Sequence, residues 1–229
     1  MKHRLPVVVE SHLQEQLADH DFQGQLLFPP MHKVQMAMNR AFEATNKEIN
    51  VMGTDVRYSG STCCSILVYG NHLYMANVGD SRAIIVSQDP DHPRRCFARA
   101  LTRDHKPDDP DELKVIVAAG GRVDSYRDAF GKKVGPERVW MKDADVPGLA
   151  MSRSFGDQVA SSVGVNSVPE ITELRMNFND KVVVLASDGV WEFLGNEQVA
   201  NIVYPYFLQR NAEGAAENLV RMAYKQWKK

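Results

Sequence analysis

Cysteine is scarce in this 229-residue chain, which has only Cys63, Cys64 and Cys96. An odd number with two adjacent suits neither a disulfide framework nor the paired spacing of a zinc site, and points to a reducing compartment, cytosol or nucleus. No run approaches the roughly 18 apolar residues of a membrane span, and the start, MKHRLPVVVESHL, turns polar too soon for a secretory signal. Nor does one sign of charge dominate. The 27 Lys and Arg against 29 Asp and Glu leave a formal net charge of −2, too little to draw the chain to nucleic acid or to an anionic membrane. A P-loop, a G-x-S-x-G elbow, a dinucleotide fingerprint, an internal repeat and a low-complexity linker are all missing. What is present is 44% apolar residues, enough to bury the core of one domain spanning residues 1–229.

Apolar positions recur at helical spacing from Leu5 to His20 and again from His32 to Asn50, with Pro29-Pro30 closing the loop between, so the first fifty residues read as two helices in one layer. From Gly60 the texture becomes β-branched and aromatic. Strands are expected at Thr62–Tyr69, His72–Val78 and Ala83–Ser87, joined by a Gly70-Asn71 hairpin turn and a tight Gly-Asp-Ser-Arg turn. Asp108 or Asp109 before Pro110 is a candidate N-cap for a helix that Gly120-Gly121 ends. Residues 123–146 read as loop-rich, with short strands around Val123 and Arg138–Met141. A strand at Val182–Ser187 then precedes helices at Glu197–Gln209 and Ala212–Trp227. Strands and helices in separate blocks indicate an α+β fold on largely antiparallel sheets, with helices outside if two sheets stack.

Two aspartates stand at the ends of apolar strands beside glycines: Asp80 in MANVGDSRA and Asp188 in VVVLASDGV. Each preceding strand can fix the carboxylate, and the glycine lets the backbone turn or a ligand approach. Carboxylates brought together at strand ends need a shared cation, and oxygen ligands with no Cys or His cluster favour magnesium or manganese over zinc. A helix beginning right after Gly189 would place Glu192 one turn from Asp188 as a further ligand. The alternative at each site is a turn in which the Asp bonds backbone amides. His105 in RDHKPDD is an acid–base group or a solvated loop residue beside a helix cap. Arg153 in LAMSRSFGD binds an anion or pairs with a structural carboxylate such as Asp157. Lys132-Lys133 and Arg94-Arg95 read as solvated loops.

In order, YSGSTCCSILVYGNHLYMANVGDSRAIIV, LTRDHKPDDPDELKVIVAAGGRV, GLAMSRSFGD and VVLASDGVWEFLGNEQVANIV resemble the metal-dependent serine/threonine protein phosphatases of the 2C type over most of residues 34–203. The resemblance implies a sandwich of two antiparallel sheets flanked by helices. It also implies hydrolysis of phosphoserine and phosphothreonine in proteins by a water held between two magnesium or manganese ions. Asp188, with Gly189 beside it, corresponds to a carboxylate of the binuclear centre. Asp80 and Glu192 correspond to ligands of a third, weaker site, at which Glu192 replaces the usual Asp and reaches one methylene further. Residues from about 122 to 145 correspond to the variable flap. The family's Asp-Gly-His-Gly block and its final Asp-Asn strand have no counterpart in these 229 residues, and no catalytic or phosphate-binding group is identified. The resemblance therefore implies a domain incomplete at both ends: a fragment, a truncated gene model, or a non-catalytic relative that binds a kinase or receptor. A strand exchanged with a neighbouring chain is a further possibility.

Overall fold

The computed structural model describes residues 3–17 and 29–228. Helices α1 (Arg4–Leu17) and α2 (Met31–Val51) come first, followed by β1 (Gly60–Ser61), β2 (Cys63–Tyr69), β3 (His72–Val78), β4 (Arg82–Gln88) and β5 (Cys96–Ala100). Helix α3 (Pro110–Ala118) leads into β6 (Gly121–Arg127), β7 (Lys133–Met141), β8 (Pro147–Leu149), β9 (Phe155–Gly156) and the short α4 (Gln158–Ser161). Strands β10 (Glu170–Arg175) and β11 (Asp180–Ala186) and helices α5 (Asp188–Trp191), α6 (Asn196–Leu208) and α7 (Ala212–Trp227) complete the order. The chain forms two compact units that interleave in sequence: Met1–Cys63, Ala76–Asp80 and Asp104–Ile171 in one, Cys64–Met75, Ser81–Arg103 and Thr172–Lys229 in the other.

In the first unit α2 buries Val34, Ala37, Met38, Ala41, Phe42 and Thr45, the i, i+3, i+4, i+7 stripe read from sequence. Leu5 and Val8 of α1 are buried as well. Arg4, at the start of α1, bonds Glu48, near the end of α2, at 2.8 Å, as antiparallel packing requires. The expected extension of the first helix to His20 falls outside the described residues. Phe42 packs on Phe155 with ring centroids 5.4 Å apart, and Asn46 Oδ1 accepts from the Gly156 amide at 3.0 Å. These contacts tie α2 to the β1–β9 pair. Asp109 caps α3 by accepting from the Asp111 amide at 3.1 Å.

Residues 123–146 are more regular than their composition suggests. Strands β6 and β7 pair antiparallel from Gly121–Met141 to Arg127–Lys133, and β8 joins β7. The turn is built by Asp128, whose Oδ1 accepts from the amides of Phe130 and Lys132 at 2.9 Å each. Charged residues on both strands mask the alternation on which a strand reading depends.

The second unit is the sandwich. Its sheets have strand orders β10-β3-β2 and β11-β4-β5, and Leu73, Met75, Ala83, Ile85 and Leu101 fill the space between them with Ile66, Leu174 and Val183. Gly70 makes the β2–β3 turn at φ +59°. The central β4 is buried on both faces: Ile84 and Val86 point away from the other sheet and into a core with Val199, Val203 and Tyr204 of α6 and Leu219 of α7. That two-sided burial explains the continuous apolar Ala-Ile-Ile-Val where an outer strand would alternate. Strands β5 and β10 went unread because they are short edge strands interrupted by charge, with Arg99 exposed on the first and Glu173 and Arg175 on the second, as edges exposed to water often are.

Candidate metal centre

Asp80 belongs to the first unit. It follows Gly79, whose φ is +98° and at which a Cβ would lie 2.4 Å from Thr62 Cγ2. Glycine is therefore required there both by conformation and by packing, as the Gly-Asp turn suggested. His105 clamps the turn with two bonds: its amide donates to Gly79 O at 3.0 Å, and the Gly79 amide donates to His105 Nδ1 at 3.0 Å. His105 is completely buried, a correction to the solvated-loop reading. Its polar neighbours in sequence disguise a side chain that the fold turns inward. Because Nδ1 accepts, the ring proton sits on Nε2, 3.7 Å from Glu170 Oε2.

Asp80 is 4% exposed, and its carboxylate accepts from Lys106 Nζ at 2.6 Å. Sequence reasoning missed this lysine: His105 drew attention as a titratable residue, while nothing in local spacing pairs Lys106 with position 80. The ammonium supplies the positive charge that a buried carboxylate requires.

Asp188, Gly189 and Glu192 belong to the second unit. Strand β11 ends at Ala186, Ser187 is the N-cap of α5 at φ −80°, ψ 173°, and Asp188 is the first residue of the turn. The Glu192 amide bonds Asp188 O at 2.8 Å, so the two carboxylates stand one helical turn apart, as the sequence spacing implied. Both are exposed, while Val190, Trp191 and Leu194 are buried beneath them. Trp191 Nε1 donates to Ala186 O at 2.7 Å, and the Arg82 guanidinium lies 5.2 Å from its ring centroid. This anchor fixes the turn to the strand end. Gly189 departs from its expected role: its φ is not positive and the nearest atom to an added Cβ is Ser187 Oγ at 3.6 Å. The chain turns at Ser187, and the turn requires neither a positive φ nor a missing side chain at Gly189.

Arg153 does not pair with Asp157. Its Nη2 donates to Glu112 Oε1 at 2.6 Å and its Nε to Oε2 at 3.0 Å, while Ser152 Oγ donates to Oε2 at 2.9 Å. Glu112 lies in the first turn of α3, and nothing in local spacing pairs it with Arg153. Asp157 is instead buried in a left-handed conformation at φ 44°, ψ 50°, packed so close to Gly60 that a Cβ there would lie 1.9 Å from Oδ2. Burial pushes its carboxyl above the ordinary range.

A hard divalent ion takes about six oxygen ligands. In neither unit, among the described residues, do three or more His, Cys, Asp or Glu side chains converge to hold a metal ion. Asp80 already has a cationic partner. The residues therefore do not fit a complete magnesium or manganese centre; Asp188 and Glu192 are two exposed carboxylates one helical turn apart.

A protein phosphatase 2C family model matches residues 7–228. Among curated proteins, the chain is 41% identical over 177 residues to probable protein phosphatase 2C 48 of Oryza sativa and 42% identical over 195 residues to probable protein phosphatase 2C 52 of Arabidopsis thaliana. These alignments cover 76% and 84% of this chain but 48% and 39% of the relatives, so the chain spans less than half of either. Its fold resembles a serine-threonine phosphatase 2C from Toxoplasma gondii, with a TM-score of 0.78 at 20% identity, over 99% of this chain and 75% of that one. A C. elegans sex determining protein aligns with a TM-score of 0.64 over 95% of this chain and 48% of its own. Since the family model takes in both units of the structure from α1 to α7, the chain belongs to the protein phosphatase 2C family.

Proposed function

We infer that the chain is part of a catalytic domain that hydrolyses phosphoserine and phosphothreonine in proteins. In this reading the domain runs through residues 1–229, with residues 122–145 as its flap. The observation that carries it is the Asp188–Glu192 turn, where two carboxylates are held on the exposed side by buried Val190, Trp191 and Leu194. Asp188, Gly189 and Glu192 are assigned to divalent-cation binding, with magnesium or manganese as the hard ions that oxygen ligands favour. Asp80 is assigned to a weaker cation site, at which the ion would compete with the Lys106 ammonium. An odd count of three cysteines, two of them adjacent, supports a reducing compartment, cytosol or nucleus. No helix among the described residues is long and apolar enough to cross a membrane.

The 229 residues alone are expected to turn over phosphoprotein weakly or not at all, because the carboxylates present are too few for two hard cations. The test is hydrolysis of a phosphoserine peptide in manganese by the chain and by Asp188→Asn, with manganese binding followed in parallel by electron paramagnetic resonance. Both proteins should stay near the enzyme-free rate. Vigorous wild-type turnover that Asp188→Asn abolishes would show instead that the chain is competent by itself.

The Asp80–Lys106 pair favours a second reading, a non-catalytic relative that binds a kinase or receptor. The transcript sequence upstream of Met1 separates the two. An in-frame Asp-Gly-His-Gly block supports the enzyme; a start at Met1 supports the binding protein.

A further inference from the structure

The sheet of β6, β7 and β8 bears a pocket of about 400 Å³, lined by none of the carboxylates assigned to cations above. Its walls include Arg122, Asp124, Tyr126, Arg127, Trp140 and Asp145. Guanidinium groups beside aromatic rings are suited to anionic side chains of peptides, since Arg bonds an oxyanion in a fixed plane while the rings bury the adjoining stem.

The two arginines differ in how their charge is met. Arg127 Nη2 donates to Asp124 Oδ2 at 3.0 Å, and Lys133 Nζ lies 2.9 Å from Asp124 Oδ1. Lys133 and then Arg127 hold the Asp124 carboxyl down at about 2, so Asp124 stays ionised and answers Arg127 from within the hairpin. Arg122 is held firmly in position but is answered only at the surface. Its guanidinium lies 5.3 Å from the Trp140 ring centroid, and Nε donates to Met141 O at 3.2 Å. The Trp140 ring is itself fixed, with Nε1 donating to Asp124 O at 2.8 Å and Tyr126 edge-on at 5.2 Å. The ion-pair partner of Arg122 is Asp145, whose side chain is 92% exposed. An exposed pair of this kind contributes little in water. An anion that displaces Asp145 therefore gives up existing pairing of no more than about a factor of five in affinity, and the guanidinium needs little further ordering to receive it.

We propose that this pocket docks an anionic side chain of an extended peptide, received by Arg122 over the face of Trp140, with Asp145 as an internal competitor for the same guanidinium. The anion is a carboxylate or a phosphoryl group, and the experiment separates these sources. Fluorescent decapeptides with Glu, Gln or phosphoserine at the centre of an otherwise neutral sequence are titrated with the 229-residue chain in EDTA, with binding followed by anisotropy. The Glu peptide should bind about fivefold more tightly than the Gln peptide, and Asp145→Asn should tighten Glu binding by a further factor of about five. Arg122→Met, which keeps an apolar stem over Trp140, should erase the preference. A larger, Arg122-dependent preference for phosphoserine would assign the phosphoryl source; equal binding of Glu and phosphoserine would assign the carboxylate. The proposal is overturned if neither wild type nor Asp145→Asn binds the Glu or the phosphoserine peptide more tightly than the Gln peptide, or if the preference survives Arg122→Met. Asp145 is exposed, so its variant tests the idea even if Arg122→Met fails to fold. The Glu peptide carries no phosphate, so its failure to bind would leave the phosphatase reading standing.

Discussion

Glu112→Ala is expected to destabilise the protein by about 3–5 kcal/mol, the usual cost of removing one member of a buried, hydrogen-bonded ion pair. Glu112 is 3% exposed, and its two oxygens take bonds from Arg153 and Ser152. Alanine would leave a guanidinium that is 18% exposed without its carboxylate, and water could restore only part of the lost solvation. Much of the cost is therefore the stranded charge rather than the net strength of the pair. The double variant Glu112→Leu/Arg153→Met, which removes both charges and keeps apolar volume, should lose clearly less than the single variant. Urea unfolding followed by circular dichroism measures both. A single-variant loss under about 1 kcal/mol would mean that the pair is effectively solvated.

Gly79→Ala should cost about 3 kcal/mol or more, combining a left-handed backbone with a contact that no rotamer relieves. The added methyl would meet Thr62 Cγ2 at 2.4 Å and Thr62 Cβ at 2.9 Å, and Thr62 Cβ cannot rotate away. The same turn carries the bond from the Gly79 amide to His105 and leads into Asp80, so the substitution disturbs the clamp as well as the fold. Gly189→Ala is the internal control. With room for a Cβ and no positive φ, it should change stability by no more than about 1 kcal/mol, in the stabilising direction for a residue in a helical turn. Equal effects at the two glycines would contradict the different roles the structure gives them.

The two Gly-Asp sites show how far local reading reaches. Both glycines looked alike beside an apolar strand, yet only Gly79 is held by conformation and by a neighbour distant in sequence. The spacing of Asp188 and Glu192 was legible because one helical turn sets it, and the caps at Asp109 and the apolar stripe of α2 were legible for the same reason. Strands β6 and β7 were not, since their charged residues pair across the hairpin and hide the alternation. His105 reads as solvent-exposed among Arg, Asp and Lys, and its burial follows from the path of the backbone past Gly79.

By itself, then, the sequence determined the long helices, the strands β2 to β4, the apolar strand that carries Asp188 to its end, and the ordered motifs of the 2C family. Each rests on neighbours within a turn of helix or a few residues of strand, where period and propensity act directly. Only the tertiary structure decided the partners of the buried charges. Lys106 lies 26 residues from Asp80, and Glu112 lies 41 from Arg153. Charges so far apart meet where the fold closes the intervening chain, and burial then makes pairing obligatory, because a lone charge in a water-poor interior costs too much to keep.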